Sequence, residues 1–232
     1  MNFTEIITID GPAGSGKSTL AKSLAKAMGW KFLDTGALYR AVAFAVYEKG
    51  FARCPFDEVL IRFISQLPIA VQLAAEESRV FLAEREVTGY LRAENISILA
   101  SKVSAVPAAR LSLRELQRKL GREGRLVTEG RDQGTALFPE AKLKFYLSAA
   151  AKERARRRRA QMIRQSLSPP PLDKILQDIM LRDYQDSHRE VDPLLEPADS
   201  VRVDSTDLTL EGVLQIMLEK AREVFPGEFA SQ

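Results

Sequence analysis

The stretch Gly11 to Thr19, GPAGSGKST, follows the apolar run Ile6, Ile7, Ile9 and constrains the fold more than any other part of the chain. It fits the pattern G-x-x-x-x-G-K-[ST] at Gly11, Gly16, Lys17 and Ser18, with the strand before and the helix after that the pattern requires. The residue types suit a polyphosphate. A glycine-rich loop can turn its backbone N–H groups inward around anionic oxygens because no Cβ stands in the way. The positive end of the following helix faces the same anion, Lys17 can reach β and γ phosphates, and the Ser18 hydroxyl is placed to ligate Mg²⁺. Pro12, Ala13, Gly14 and Ser15 complete the loop, and Thr19 continues the first helical turn. A turn that merely saved space would not need Lys and Ser in those places. The glycines at 11, 14 and 16 also miss the G-x-G-x-x-G spacing of a dinucleotide site.

Downstream, Leu20, Leu24, Ala27 and Met28 share one face of a helix over 18–28 that Gly29 ends. Lys31 to Leu33 is predicted as a second strand, Asp34, Thr35 and Gly36 as a turn, and 37–49 as a helix carrying Tyr39 and Arg40 in its first turns. Another amphipathic helix is expected over 57–67. Between Pro68 and Gly89 the runs IAVQLA and RVFLAEREV alternate apolar with polar residues about the turn AEES, which predicts a small antiparallel β unit. Helical pattern resumes at Arg92, breaks at Pro107, and continues to Leu120.

Strand RLVT then leads to a tight charged loop, EGRDQGT, from Glu129 to Thr135, and KLKFYLSA at 142–149 is a fourth core strand. The next helix carries Arg154, Arg156, Arg157, Arg158 and Arg159, and SPPP at 168–171 cannot prolong it. Such a run suits a solvated helix face or a nucleic-acid patch. Leu172 to about Arg189 is helical, with Arg182, Asp186 and Arg189 on one face, a spacing shared by surface ion-pair ladders and binding faces. SVRV at 200–203 is a fifth strand ending in DST, and Leu210, Val213, Leu214, Met217, Leu218 and Ala221 form the core stripe of the last helix. Five strands alternating with helices predict an α/β fold, a largely parallel sheet covered on both faces, with ligands at its C-terminal edge.

At 232 residues, 45% hydrophobic and 28% charged, the chain suits one sizeable core. Its apolar runs are far shorter than a membrane span, and the first residues enter a strand almost at once, so neither a membrane partner nor a signal peptide is expected. The lone Cys54 fits a reducing, cytoplasmic setting. Because 34 basic residues nearly balance 31 acidic ones, bulk charge says little about nucleic acid. Where the arginines stand matters more: Thr35 with Arg40, Ser101 with Arg110, Arg131 with Asp132, then the helical arginines, a set suited to two phosphorylated substrates meeting head to head.

Over nearly its whole length the sequence resembles the bacterial cytidylate kinases of the nucleoside monophosphate kinase superfamily. The motifs that carry the resemblance are ITIDGPAGSGKST, LDTGALYR, VTGYLR, ASKVSAVPAAR, EGRDQGT, ERARRR, RDYQDSHR and VDST. The resemblance implies a P-loop kinase core over 1–67 and 106–232, a β-rich monophosphate-binding insertion over about 68–105, and a short helical lid over about 152–170. It implies ATP as phosphoryl donor with Mg²⁺, CMP and dCMP as acceptors, and a monomer without nucleic-acid partners. It assigns the acceptor phosphate to Thr35, Arg40, Arg131 and Arg189, the cytosine to Ser101, Arg110 and Asp132, and the sugar to Arg182 and Asp186. Lys17 and the lid residues Arg154, Arg157 and Arg158 would act on the triphosphate, with Asp204 to Thr206 near the adenine. The chain departs from some relatives at Gln185 and Ser187, where they carry further arginines, and at Glu129, where they carry Asp. Two rival readings are a nucleic-acid-binding ATPase and a small-molecule kinase with another acceptor.

Overall fold

A computed structural model of the protein describes residues 3, 5–165 and 168–229. The first half runs β1 (Ile6–Asp10), α1 (Lys17–Met28), β2 (Lys31–Asp34), α2 (Thr35–Glu48), α3 (Glu58–Ser65), β3 (Ile69–Gln72), β4 (Arg79–Leu82), β5 (Arg85–Glu86), α4 (Glu94–Ser104) and α5 (Pro107–Gly121). The second half runs β6 (Leu126–Gly130), β7 (Leu143–Ser148), α6 (Ala151–Arg164), α7 (Leu172–His188), β8 (Val201–Asp204) and α8 (Leu210–Val224). Residues 166 and 167 of the expected lid, and 1, 2, 4 and 230–232 of the expected core, lie outside the described residues.

Five strands form a parallel sheet in the order β2-β6-β1-β7-β8. Two of its three inner strands, β6 and β1, are buried at every residue, as a parallel sheet covered on both faces demands. Alternation along each strand sorts the side chains into two cores. Ile7, Ile9, Val127, Phe145 and Val203 pack with α1 and α8, whereas Ile6, Leu33 and Leu126 pack with α2, α4 and α5. The register pairs Asp10 with Gly130 and Asp34 with Glu129, which brings the ends of three strands to one edge.

The insertion is a three-stranded antiparallel sheet, β3-β4-β5, as the alternation predicts. The run RVFLAEREV is two strands, because Ala83 turns the chain at φ 52. This unit is moored to β2, where the Phe32 N–H donates to the Ala74 carbonyl at 2.9 Å. A separate small core of Ala155, Met162, Ile175 and Ile179 holds α6 against α7.

Three local expectations need correction. Asp34 to Gly36 is not a turn: Asp34 ends β2 and its carboxylate accepts from the Ala37 N–H at 3.1 Å. That side-chain cap satisfies an orphan donor and lets α2 start at once, at Thr35. The end of EGRDQGT is a π-helical turn over Gln133–Leu137, with the N–H groups of Ala136 and Leu137 both on the Asp132 carbonyl. Leu210 leaves the α8 stripe and is 45% exposed, because it stands in the first turn beside Gly16 instead of over the sheet.

Two contacts, one at each end of the sheet, can be tested. Gly121 ends α5 where a Cβ would lie 2.4 Å from Phe138 and 3.1 Å from Ile6. Gly121→Ala gains about 1 kcal/mol of helix propensity, but crowding a packed core costs about 1–3 kcal/mol. The variant should melt several degrees below the parent; an equal or higher Tm would refute the close contact.

The second contact is the Asp10 carboxylate, which accepts from the N–H groups of Gln133 at 2.9 Å and Gly134 at 2.7 Å. Burial pushes its pKa from 3.8 up to about 6 despite those two bonds. A carboxyl raised in the folded state contributes stability below its unfolded value and loses it as pH rises through about 6. Relative to the non-titrating Asp10→Asn, the parent should therefore lose about 1 kcal/mol of unfolding free energy between pH 5 and pH 7. Denaturant unfolding at both pH values measures it, and a pH-independent gap between the two proteins would contradict the raised pKa.

Candidate active site

The phosphate loop connects the end of β1 to α1. At φ 148, Gly11 lies so close to β7 that a Cβ would stand 2.0 Å from the Leu147 carbonyl oxygen, so only glycine allows the loop to leave the strand here. Gly16, at φ 98, is the N-cap of α1. Lys17 is buried and folds back over the loop, its Nζ donating to the Pro12 carbonyl at 2.7 Å and to Ser15 Oγ at 3.3 Å. Burial, then Arg131, pulls the Lys17 ammonium below its usual range, with Glu129 and Asp186 opposing and Arg182 reinforcing. Those groups therefore share one cleft with Lys17. Ser18 donates to Glu129 Oε1 at 2.5 Å. Burial, then Asp34, pushes the Glu129 carboxyl up. Thr19 is exposed in the same first turn.

On the neighbouring strands the Thr35 hydroxyl donates to the Glu129 carbonyl at 2.8 Å, and Arg40 pairs with Asp34 at 2.6 Å. Arg40 Nε is buried without a protein partner. Arg131 Nε donates to Asp186 at 2.8 Å and Nη1 to the Gly130 carbonyl at 3.1 Å. Asp132, buried, pairs through one oxygen with Arg110 and through the other with Arg189 at 3.3 Å. Arg189 also reaches Asp186 at 3.9 Å. The result is an alternating chain, Arg110, Asp132, Arg189, Asp186, Arg131, drawn from α5, the end of α7 and the loop after β6. Arg182 is exposed on α7, and Ser101 is half-buried on α4, one turn before Ser104, whose carbonyl accepts from Arg110 at 3.3 Å.

The arginines of α6 divide. Arg154 is buried beneath the loop, donating to the Ala13 carbonyl at 2.9 Å and to Asp183 at 2.6 Å, while Asp183 also accepts from the Ala13 N–H at 3.1 Å. Arg157 donates to Ser205 Oγ at 3.0 Å, and Ser205 in turn bonds the Ser148 carbonyl at 3.0 Å. Arg158 bonds Gln161 on its own helix at 3.0 Å. The fold thus brings Lys17, Arg40, Arg131, Arg182 and Asp186 together, with Asp132, Arg110 and Arg189 beside them, and leaves Arg157 at the Asp204–Thr206 turn and Arg158 on the surface. The sequence reading missed Asp10, Asp183 and Asp192, and gave Ser205 only as part of the Asp204–Thr206 turn. Asp10 sits directly before the loop motif and Asp183 directly after Arg182, yet no local pattern marks either one.

Such an edge, with a polyphosphate loop facing an arginine and carboxylate cluster, is equipped to hold two anionic substrates and neutralise charge between them. A family model described as cytidylate kinase matches residues 7–223. A cytidylate kinase of Geobacter sp. is 42% identical over 218 residues, covering 94% of this chain and 93% of that protein. One of Streptococcus equi subsp. zooepidemicus is 38% identical over 219 residues, covering 94% and 96%. A solved shikimate kinase from Bacteroides thetaiotaomicron covers 94% of this chain and 98% of its own, at a TM-score of 0.50 and 14% identity, a likeness of fold alone. The family match runs from β1 into α8 and takes in every strand of the sheet, so this chain belongs to the cytidylate kinase family, with a P-loop kinase fold.

Proposed function

We propose that this chain transfers the γ-phosphoryl group of ATP to CMP and dCMP, giving CDP or dCDP and ADP. The observation that carries the reading, within a cytidylate kinase family chain, is the meeting of the phosphate loop and the Arg110–Asp132–Arg189–Asp186–Arg131 chain at one sheet edge. Thr35, Arg40, Arg131 and Arg189 hold the acceptor phosphate, Arg40 through a side chain that is a quarter exposed beside Asp34. Arg131 is already fixed by Asp186 and the Gly130 carbonyl, which lowers the entropic cost of aiming it. Ser101, Arg110 and Asp132 read the cytosine; Arg182 and Asp186 hold the sugar. No general base is required, because the attacking atom is an anionic phosphate oxygen.

On the donor side, Gly11 to Thr19 cradle the triphosphate and Arg154 supports the loop from beneath through the Ala13 carbonyl. Lys17 donates to the phosphates. Arg157 and Arg158 approach the transferring group when the 152–170 lid closes, since neither reaches Lys17 from its present partners, Ser205 and Gln161. The oxygen-only set of Ser18 hydroxyl and Glu129 carboxylate fits Mg²⁺, which takes its other positions from phosphates and water and would neutralise charge on the β and γ oxygens. We also take the protein as a cytoplasmic monomer without a nucleic-acid or membrane partner. Two arginines of the α6 run are committed internally, and no single described helix is long and apolar enough to cross a membrane.

An ADP-release assay over a panel of acceptors tests the reaction: CMP and dCMP should lead it, and a non-nucleotide acceptor turning over faster would overturn the reading. Lys17→Ala should lower kcat by about a hundredfold or more with a smaller change in ATP affinity, because charge moves toward the bridging oxygen as transfer proceeds. A raised KM at unchanged kcat would count against that role. For the base, cytosine offers an amino donor to a carboxylate, and uracil presents a carbonyl there instead. Asp132→Ala should therefore narrow the CMP to UMP ratio of kcat/KM. A carboxylate that served only to hold Arg110 and Arg189 would depress both substrates equally.

A further inference from the structure

Asp192 belongs to none of the sequence motifs, yet three arginines converge on it. It stands after α7 with a left-handed backbone, φ 50, one of only three non-glycine residues at positive φ among those described. Its carboxylate takes Arg114 Nη2 on both oxygens, at 2.6 and 2.7 Å, and Arg110 Nε and Nη2 on one oxygen at 3.4 Å each. Its carbonyl accepts from Arg189 Nε at 2.7 Å and from Arg189 Nη2. Arg110 and Arg189 are the two cations that grip Asp132 from either side. The Asp192 side chain is 11% exposed and that of Arg110 2%, so water does little to screen the pair.

We propose that Asp192 is a positioning residue for acceptor-base selection: it holds Arg110 and Arg189 so that each oxygen of Asp132 takes only one arginine and keeps a lone pair for the base. The inference rests on the reading of Asp132 as the group that meets cytosine. The donor count carries it. Five groups need satisfying at Arg110, where Nη2 goes to Asp132, Nη1 to the Ser104 carbonyl, and Nε to Asp192. Arg189 directs Nε and part of Nη2 to the Asp192 carbonyl. Without the Asp192 carboxylate, Arg110 Nε loses the acceptor it has, and the carboxylate already paired with the same guanidinium is Asp132. A second N–H of Arg110 would then compete for the lone pairs that Asp132 has left beside its pairs with Arg110 and Arg189, and a cytosine amino group would have to displace it to bind. The left-handed backbone is what turns carboxylate and carbonyl toward the two different arginines at once. Aspartate tolerates that conformation better than most side chains. Arg114, 37% exposed, is a dispensable outer partner in this scheme, since it touches neither Asp132 nor Arg189.

The test is the ratio of kcat/KM for CMP over UMP in Asp192→Asn, Asp192→Gly, Arg114→Ala and Asp132→Ala, each with its Tm. The Gly variant removes the carboxylate while easing the φ 50 backbone, so it keeps the test open should the Asn variant fold poorly. Both Asp192 variants should narrow the ratio by about tenfold or more, with the loss in KM for CMP and not in KM for ATP, whereas Arg114→Ala should leave the ratio as it was. If the Asp192 variants lower Tm but keep the ratio while Asp132→Ala narrows it, Asp192 is merely structural and the inference fails alone. If Asp132→Ala also keeps the ratio, the base reading fails and takes the inference with it. Equal narrowing in Arg114→Ala would show a nonspecific loosening of the cluster and would likewise overturn it.

Discussion

Guanidinium groups cannot crowd into a half-buried cleft unless carboxylates stand between them. In this protein that constraint is met by an alternating chain in which Asp132 separates Arg110 from Arg189 and Asp186 separates Arg189 from Arg131. Removing one partner from a buried pair of this kind typically costs about 3–5 kcal/mol, because the other charge is left uncompensated. Exposed pairs such as Lys26–Glu76 and Arg92–Glu77 add little by comparison. This part of the edge is thus held by electrostatics. In the proposed reading, an incoming nucleotide meets donors whose directions are already set.

The sheet makes this arrangement possible. Parallel pairing ends β1, β2 and β6 at one edge, and the Asp10 carboxylate ties the segment after β6 to the strand that launches the phosphate loop. A carboxyl tucked this deep is costly when ionised, which is why its pKa rises toward about 6. In the proposed reading, donor and acceptor subsites therefore share one base, set by strand register. The Thr35 hydroxyl on the Glu129 carbonyl extends the same base to α2.

The donor side has a looser design. Arg154 and Asp183 link α6 and α7 to the phosphate loop at Ala13, Arg157 ties α6 to Ser205, and Asp186 ties the end of α7 to Arg131, while the two helices pack on each other through a core of their own. A hairpin with its own core, pinned at a few polar points, can move as a unit without opening the main core.

The sequence by itself determined the phosphate loop, the order of strands and helices, the antiparallel insertion and the family resemblance, because each is written in local spacing: period two, period 3.6, or a nine-residue motif. Tertiary structure alone decided which charges meet. Asp132 pairs with Arg110, 22 residues before it, and Arg131 pairs with Asp186, 55 residues after it, although Arg131 and Asp132 are adjacent and share a motif. It also decided that Asp34 is a cap, that Arg154 lies under the loop, and that Asp192 gathers three arginines. The physical reason is that an ion pair depends on distance in space and on desolvation, and neither quantity is encoded in separation along the chain.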